Sequence, residues 1–197
     1  QTIKEDKYGN IWMGTQTGIS VYNGSTIKSY TAKDGLLDSS IYSIHIKKQG
    51  DILIGTHNGL YTFDGNRFNP VEEVNALKGK EDAPIYSMME DKNGAMWLST
   101  SKGVIKYENK QVRHFNASNG FIDQYVFSSV QDKKGNYWFA TESGIYQYNG
   151  STFNNINDTM GLSSNQVWSL LMDDKNNLWI GTNNGLDKMS LDDYYSQ

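Results

Sequence analysis

The chain has 197 residues, a net charge of −4 with acids and bases interspersed, and no cysteine. Disulfide and thiol chemistry are thereby excluded, and the lack of a basic run argues against nucleic acid, because phosphate binding needs a clustered positive surface. No apolar run approaches the ~20 residues that span a bilayer, so no membrane insertion by this segment is expected; residue 1 is Gln and no signal peptide is visible, so the chain reads as a processed or excised piece.

Five copies of one pattern follow one another, centred on residues 11–15, 52–56, 96–100, 137–141 and 178–182. Their closing threonines, Thr15, Thr56, Thr100, Thr141 and Thr182, are spaced by 41, 44, 41 and 41 residues. A fixed period of this length marks a repeat architecture, in which each unit buries its faces against its neighbours. The units cover approximately 1–30, 41–71, 85–115, 126–156 and 167–191 of a single section, 1–197.

In chain order, unit one begins inside a strand at Thr2-Ile3-Lys4 and turns at Gly9. Unit two shows the full set of strands. Residues 41–46 are β-rich and predict strand A; residues 52–56 predict strand B, and 60–63 strand C. Asp64-Gly65 suits a two-residue hairpin and leads into a short strand D at Phe68. Units three and four repeat this order, with C–D turns predicted at Glu108-Asn109 and Asn149-Gly150. The fifth unit keeps strands A to C, then loses the hairpin at Ser190-Leu191 and predicts no clear strand D.

Strand B is nearly continuously apolar, the pattern of a strand covered on both faces. The residue before its threonine is always small: Gly14, Gly55, Ser99, Ala140 and Gly181. That leaves room for a neighbouring unit. Trp12, Trp97, Trp138 and Trp179, with Leu53 in the second unit, are bulky enough to fill the space between units. Four antiparallel strands in ~40 residues, repeated, predict an all-β propeller of four-stranded blades with about five repeats, the last one short. Because the chain starts and stops inside the architecture, part of a larger ring is expected, with open faces carrying Trp12 and Trp179; a small closed ring of five blades is the alternative.

No catalytic constellation is evident, and no metal or other cofactor is expected. His45, His57 and His114 share no metal-ligand spacing. The acids of the A–B turns, Asp6, Asp91, Asp132 and Asp173, lack the alternating oxygen ligands of a calcium loop and read as turn caps. Candidate ligand-binding residues fall where the units differ. The B–C turns and D–A linkers share one end of every blade, and they supply His57, Asn58, Lys102, Glu142, Asn183 and Asn184. Near the start of strand A, which lines the axis of a propeller, an aromatic recurs as Tyr42, Tyr86, Phe127 and Trp168. Aromatic faces beside amide, acid and base groups suit a carbohydrate or a protein loop. Alternatively, the aromatics plug the channel and the turn residues are merely solvated.

The stretch from Glu5 to Ile19 closely resembles the two-component regulator propeller repeat, as do residues 90–104, 131–145 and 173–186 and the linker elements Asp34-Gly35-Leu36, Asn119-Gly120-Phe121 and Met160-Gly161-Leu162. The resemblance implies the periplasmic or extracellular sensor region of a hybrid two-component system of Bacteroidetes type, whose propellers are seven-bladed and many of which sense glycans. It implies no enzyme. An oligosaccharide, the remaining blades of a parent protein, or a second copy of the chain are the partners it suggests. A propeller-fold polysaccharide lyase or glycosidase, and a purely structural scaffold, stand as alternatives; a glycosidase needs two facing carboxylates, and Glu142 is the one acid among the B–C pairs.

Overall fold

A computed structural model describes residues 2–78, 83–121 and 125–196. The described strands form five antiparallel sheets, each a meander in chain order. Blade one comprises β1 (Thr2–Glu5), β2 (Ile11–Gly14), β3 (Ile19–Tyr22) and β4 (Ile27–Tyr30). Blade two comprises β5 (Ile41–Ile46), β6 (Ile52–Thr56), β7 (Leu60–Phe63) and β8 (Phe68–Pro70), followed by the one-turn helix α1 (Glu72–Asn75). Blade three holds β9 (Ile85–Glu90), β10 (Met96–Thr100), β11 (Gly103–Glu108) and β12 (Gln111–Phe115). Blade four holds β13 (Val126–Gln131), β14 (Tyr137–Thr141), β15 (Gly144–Tyr148) and β16 (Phe153–Ile156). Blade five has three strands, β17 (Val167–Met172), β18 (Asn177–Thr182) and β19 (Gly185–Ser190), and then the one-turn helix α2 (Leu191–Tyr194). The fold is the predicted propeller section, with its last blade short.

The C–D turns differ from the sequence reading. The loop at Asp64-Gly65 spans four residues, 64–67, between the paired Phe63 and Phe68, rather than two. Glu108 ends β11, and the two-residue turn is Asn109-Lys110, one position later than predicted. Both residues have positive φ, 51° and 61°, the geometry that matches the twist of a hairpin and that Asn tolerates well.

The inner strands β1, β5, β9, β13 and β17 stand side by side, and each junction between blades has its own apolar core. Trp12 lies in the first core, Leu53 in the second, Trp97 in the third and Trp138 in the fourth, all buried. The small residue of strand B is what lets the blades approach. A Cβ on Gly55 would sit 2.9 Å from the Ile85 carbonyl oxygen and 2.9 Å from its Cγ2 in the next blade. The B–C glycine has a different cause. At Gly103, φ is +99° and a Cβ would meet the Phe115 carbonyl oxygen at 2.2 Å, where strand D ends. Among the described residues no atom lies within 4 Å of a Cβ placed on Gly185, whose blade shows no fourth strand.

The acidic A–B turns are caps, and they do more than cap. Asp91 Oδ1 accepts from the backbone N–H groups of Asn93 and Ala95, while Oδ2 accepts from Trp97 Nε1 at 2.9 Å. Asp6, Asp132 and Asp173 hold Trp12, Trp138 and Trp179 in the same way. In the second unit both partners change together, to Lys47 and Leu53. A tyrosine from the adjoining element adds a further donor twice: Tyr137 of blade four to Asp91, and Tyr195, just after α2, to Asp132. Lysines staple the same rim. Lys7, Lys92 and Lys133 each reach a backbone carbonyl of the following blade's A–B turn, at Gln49, Asp132 with Lys133, and Asp174 respectively.

The two end faces remain uncovered. Among the described residues, blade five does not pack on blade one as neighbouring blades do. Leu171 and Leu186, which point onward from blade five, are 63% and 66% exposed, and Ile3, which points back from blade one, is 65% exposed. Its counterpart Ile44 is buried against blade one. Trp12, expected on an open face, is instead buried against blade two, because strand B side chains of this register point forward along the series. Trp179 is half-buried, on the forward face of blade five.

Candidate functional site

Each inner strand from blade two onward carries a β-bulge at its second residue. Pairing with strand B skips Tyr42 between Ile41 and Ser43, Tyr86 between Ile85 and Ser87, Phe127 between Val126 and Ser128, and Trp168 between Val167 and Ser169. A bulge inserts one unpaired residue and re-aims its side chain. Here it turns four aromatics toward one another. Their rings form a continuous arc, with centroids 5.6 Å apart from Tyr42 to Tyr86, 5.6 Å from Tyr86 to Phe127 and 4.6 Å from Phe127 to Trp168. These separations lie in the range of favourable aromatic pairs. The ends of the arc are open: Tyr42 is 37% and Trp168 46% exposed, so the rings do not bury one another completely.

Polar groups flank the arc. The His57 ring lies 6.1 Å from Tyr42, and Asn183 accepts a hydrogen bond from Trp168 Nε1 at 3.0 Å while donating to Gln166. Burial, then the neighbouring Tyr42, Tyr125 and Glu142, push the Tyr86 hydroxyl above its ordinary pKa, so it remains a neutral donor at neutral pH. The other candidates secure the rim. Asn58 N–H donates to Asp38, Asn184 Nδ2 donates to the Ser163 carbonyl at 2.9 Å, and the Lys102 carbonyl oxygen lies 2.7 Å from His114 Nε2. Tyr125 was not among the sequence candidates. Its ring stacks on Phe127 at 6.4 Å. It belongs to the linker before β13, outside the repeating core, so comparison between units gives no signal for it. Among the described residues, no three His, Asp or Glu side chains converge as a metal site.

What the arc offers is a stacking platform with an amide, an imidazole, a phenol and a carboxylate at its margins. Comparison with known proteins places the frame around it. Residues 79–102, 120–143 and 161–184 match the family model described as two component regulator propeller; they contain the inner strand, the A–B turn and strand B of blades three to five. These are regulator propeller repeats. A histidine kinase of Formosa agariphila, P4, is 31% identical over 54% of this chain and 8% of its own length. Two solved structures from B. thetaiotaomicron, named as extracellular domains of hybrid two component systems, superpose on 95% of the chain and 26% of their own length, with TM-scores of 0.85 and 0.83 at 24% and 26% identity. The chain thus spans about a quarter of those domains and a small part of the kinase. Virginiamycin B lyase from Staphylococcus aureus shares the fold at 13% identity, with a TM-score of 0.72 over 96% of this chain and 69% of that one. The propeller fold is therefore one on which other chemistry is also carried, and the function belongs to the site.

Proposed function

We propose that this chain is part of the extracytoplasmic sensing propeller of a two-component regulatory system, and that the aromatic arc binds an oligosaccharide. The single observation that carries the site is the run of four bulge-directed rings, open at both ends and flanked by polar groups. Sugar rings stack their C–H faces on such surfaces and take hydrogen bonds at their edges. A protein loop is the alternative occupant. The system and the extracytoplasmic location rest on the regulator propeller repeats and on the extracellular domains that the chain resembles.

Titration with a panel of oligosaccharides, followed by calorimetry, tests the site. Binding by at least one member is expected, weakened about tenfold by Trp168→Ala, at the upper end of the ~0.5–1.5 kcal/mol that an aromatic contact adds beyond its buried area. Binding that survives both Trp168→Ala and Tyr86→Ala would remove the arc from the proposal, and a panel without any binder would favour the scaffold or protein-loop reading. Glycoside hydrolysis needs two carboxylates about the scissile bond, and the arc has Glu142 at its margin. No turnover is therefore expected; polysaccharide cleavage abolished by Glu142→Gln would make the protein an enzyme.

The open end faces belong to the same reading. We infer that further blades of a longer parent cover Leu171 and Leu186 at one end and Ile3 at the other, completing a larger ring. In isolation the chain should self-associate through these apolar faces, and the association should persist in 1 M salt, where ionic contacts are screened over roughly 3 Å. Sedimentation showing a compact monomer at every concentration would count against it.

A further inference from the structure

We propose that the cleft between blades one and two receives the side chain of a tyrosine presented by another polypeptide segment. The cleft has a volume of about 400 Å³ and opens at the end of the blades opposite the aromatic arc, between the A–B and C–D turns. Asp6, Asn10, Trp12, Tyr30, Lys28 and Phe63 line it.

The inference comes from what the other junctions hold at the same place. Asp91 of blade three accepts the Tyr137 hydroxyl of blade four at 2.9 Å, and the Tyr137 ring lies 4.1 Å from the Trp97 ring and 6.2 Å from that of Tyr148. In repeat register, Tyr137 corresponds to Ile52 in blade two and to Leu178 in blade five. Neither can donate. At the junction of blades four and five the missing phenol arrives from outside the strands: Tyr195, on the segment after β19, donates to Asp132 and accepts from Asn136 Nδ2 at 2.6 Å. Its neighbour Tyr194 lies edge-on to Trp138 at 5.5 Å.

Asp132, Asn136 and Trp138 correspond to Asp6, Asn10 and Trp12. Blade one thus repeats the three residues that hold the incoming tyrosines. Asn10 Nδ2 and Trp12 Nε1 already donate to Asp6 Oδ2, at 2.8 and 2.9 Å, as Asn136 and Trp138 donate to Asp132. Phe63 stands where Tyr148 flanks Tyr137 and keeps the aromatic wall. Several lining positions differ: Tyr30 and Lys28 stand where blade four has Ile156 and Asn154. Val21 replaces Gln147, and Tyr8 replaces Lys134, whose amine lies over the Tyr195 ring. Blade one thus lacks the amide and the amine that contact Tyr195, while the acceptor is the same. Among the described residues no tyrosine hydroxyl is bonded to Asp6. A segment laid across the rim with one tyrosine turned inward would reproduce the contact that Tyr195 makes between blades four and five, independently of the axial arc.

The test uses the whole chain and a pair of peptides: acetyl-Leu-Asp-Asp-Tyr-Tyr-amide, which copies the segment from Leu191, and its counterpart with two phenylalanines. The indole N–H resonance of Trp12, assigned by Trp12→Phe, is followed by NMR. The tyrosine peptide should shift it saturably, and the phenylalanine peptide should bind roughly tenfold more weakly, the loss expected for one hydrogen bond to a carboxylate. Ile52→Tyr should fill the cleft from within and abolish the shift; should that variant fold poorly, Asp6→Asn should bring the two peptides to similar affinities. A Trp12 resonance unmoved at millimolar peptide, equal binding of both peptides to the parent protein, or a shift confined to Trp138 would overturn the proposal.

Discussion

Gly55→Val is expected to lower stability by about 3 kcal/mol or more, at the upper end of what overpacking costs, and to reduce the melting temperature by roughly 6 °C or more for a chain of this size. The added Cβ would meet the Ser43 hydroxyl at 2.3 Å and, at 2.9 Å, the backbone carbonyl oxygen of Ile85. A hydroxyl can rotate away, but a carbonyl of the neighbouring inner strand cannot move without separating the blades. Moreover, Ser43 Oγ donates to that same carbonyl at 2.8 Å, so the intrusion would also break the link across the junction. Gly181→Val should cost less, because its Cβ meets the Ser169 side chain of its own blade and no following blade. Asn58→Ala serves as an exposed control. Calorimetric melting of the three variants checks the order; a Gly55→Val protein melting with the parent would show that the blades have room to spare.

Asp132→Ala is expected to destabilise by about 3 kcal/mol, because it leaves Trp138 Nε1, the Tyr195 hydroxyl and the Asn136 amide without their shared acceptor in a buried setting. The pH dependence carries a sharper signature. Burial works to raise the Asp132 carboxyl, but hydrogen bonds from Tyr195, Trp138 and Asn136 outweigh it and hold the pKa below its ordinary 3.8. A carboxyl depressed in the folded state contributes its full stability above the unfolded value and loses it as pH falls through the folded value. The stability difference between parent and Asp132→Asn should therefore be constant above about pH 5 and shrink below about pH 4. Denaturant melts at pH 7, 5 and 3 would read it. A difference that stays constant to pH 3 would mean that the carboxylate charge contributes nothing.

Period and turn chemistry made the blades legible in the sequence, since the small residue before each Thr and the hairpin dipeptides are local signals. The loss of strand D after Ser190 was visible for the same reason. The aromatic positions on the axis were also visible as a recurrence. What brings Tyr42, Tyr86, Phe127 and Trp168 together was not, because a bulge changes pairing without changing residue type. The role of the A–B acids was half legible. Turn capping follows from Asp beside Asn and Gly, whereas the bond to a Trp six residues on depends on strand B folding back over the turn. Unit two held the clue: Lys47 and Leu53 replace Asp and Trp together. The direction in which Trp12 points is not legible, because a strand covered on both faces has no alternation to tell forward from backward.

The four junction cores are separate, and each blade leans on its immediate neighbours. In such a series free energy is close to a sum of unit and interface contributions, so that loosening one junction leaves the next largely intact. The arc is different in kind. Its rings cross three junctions in succession, from blade two to blade five, and each ring leans on those beside it. A molecule lying along them would touch four units at once. It would tie together junctions that otherwise open one at a time, and occupancy at the axis would register as cooperativity across the series, with no strand having to change its course.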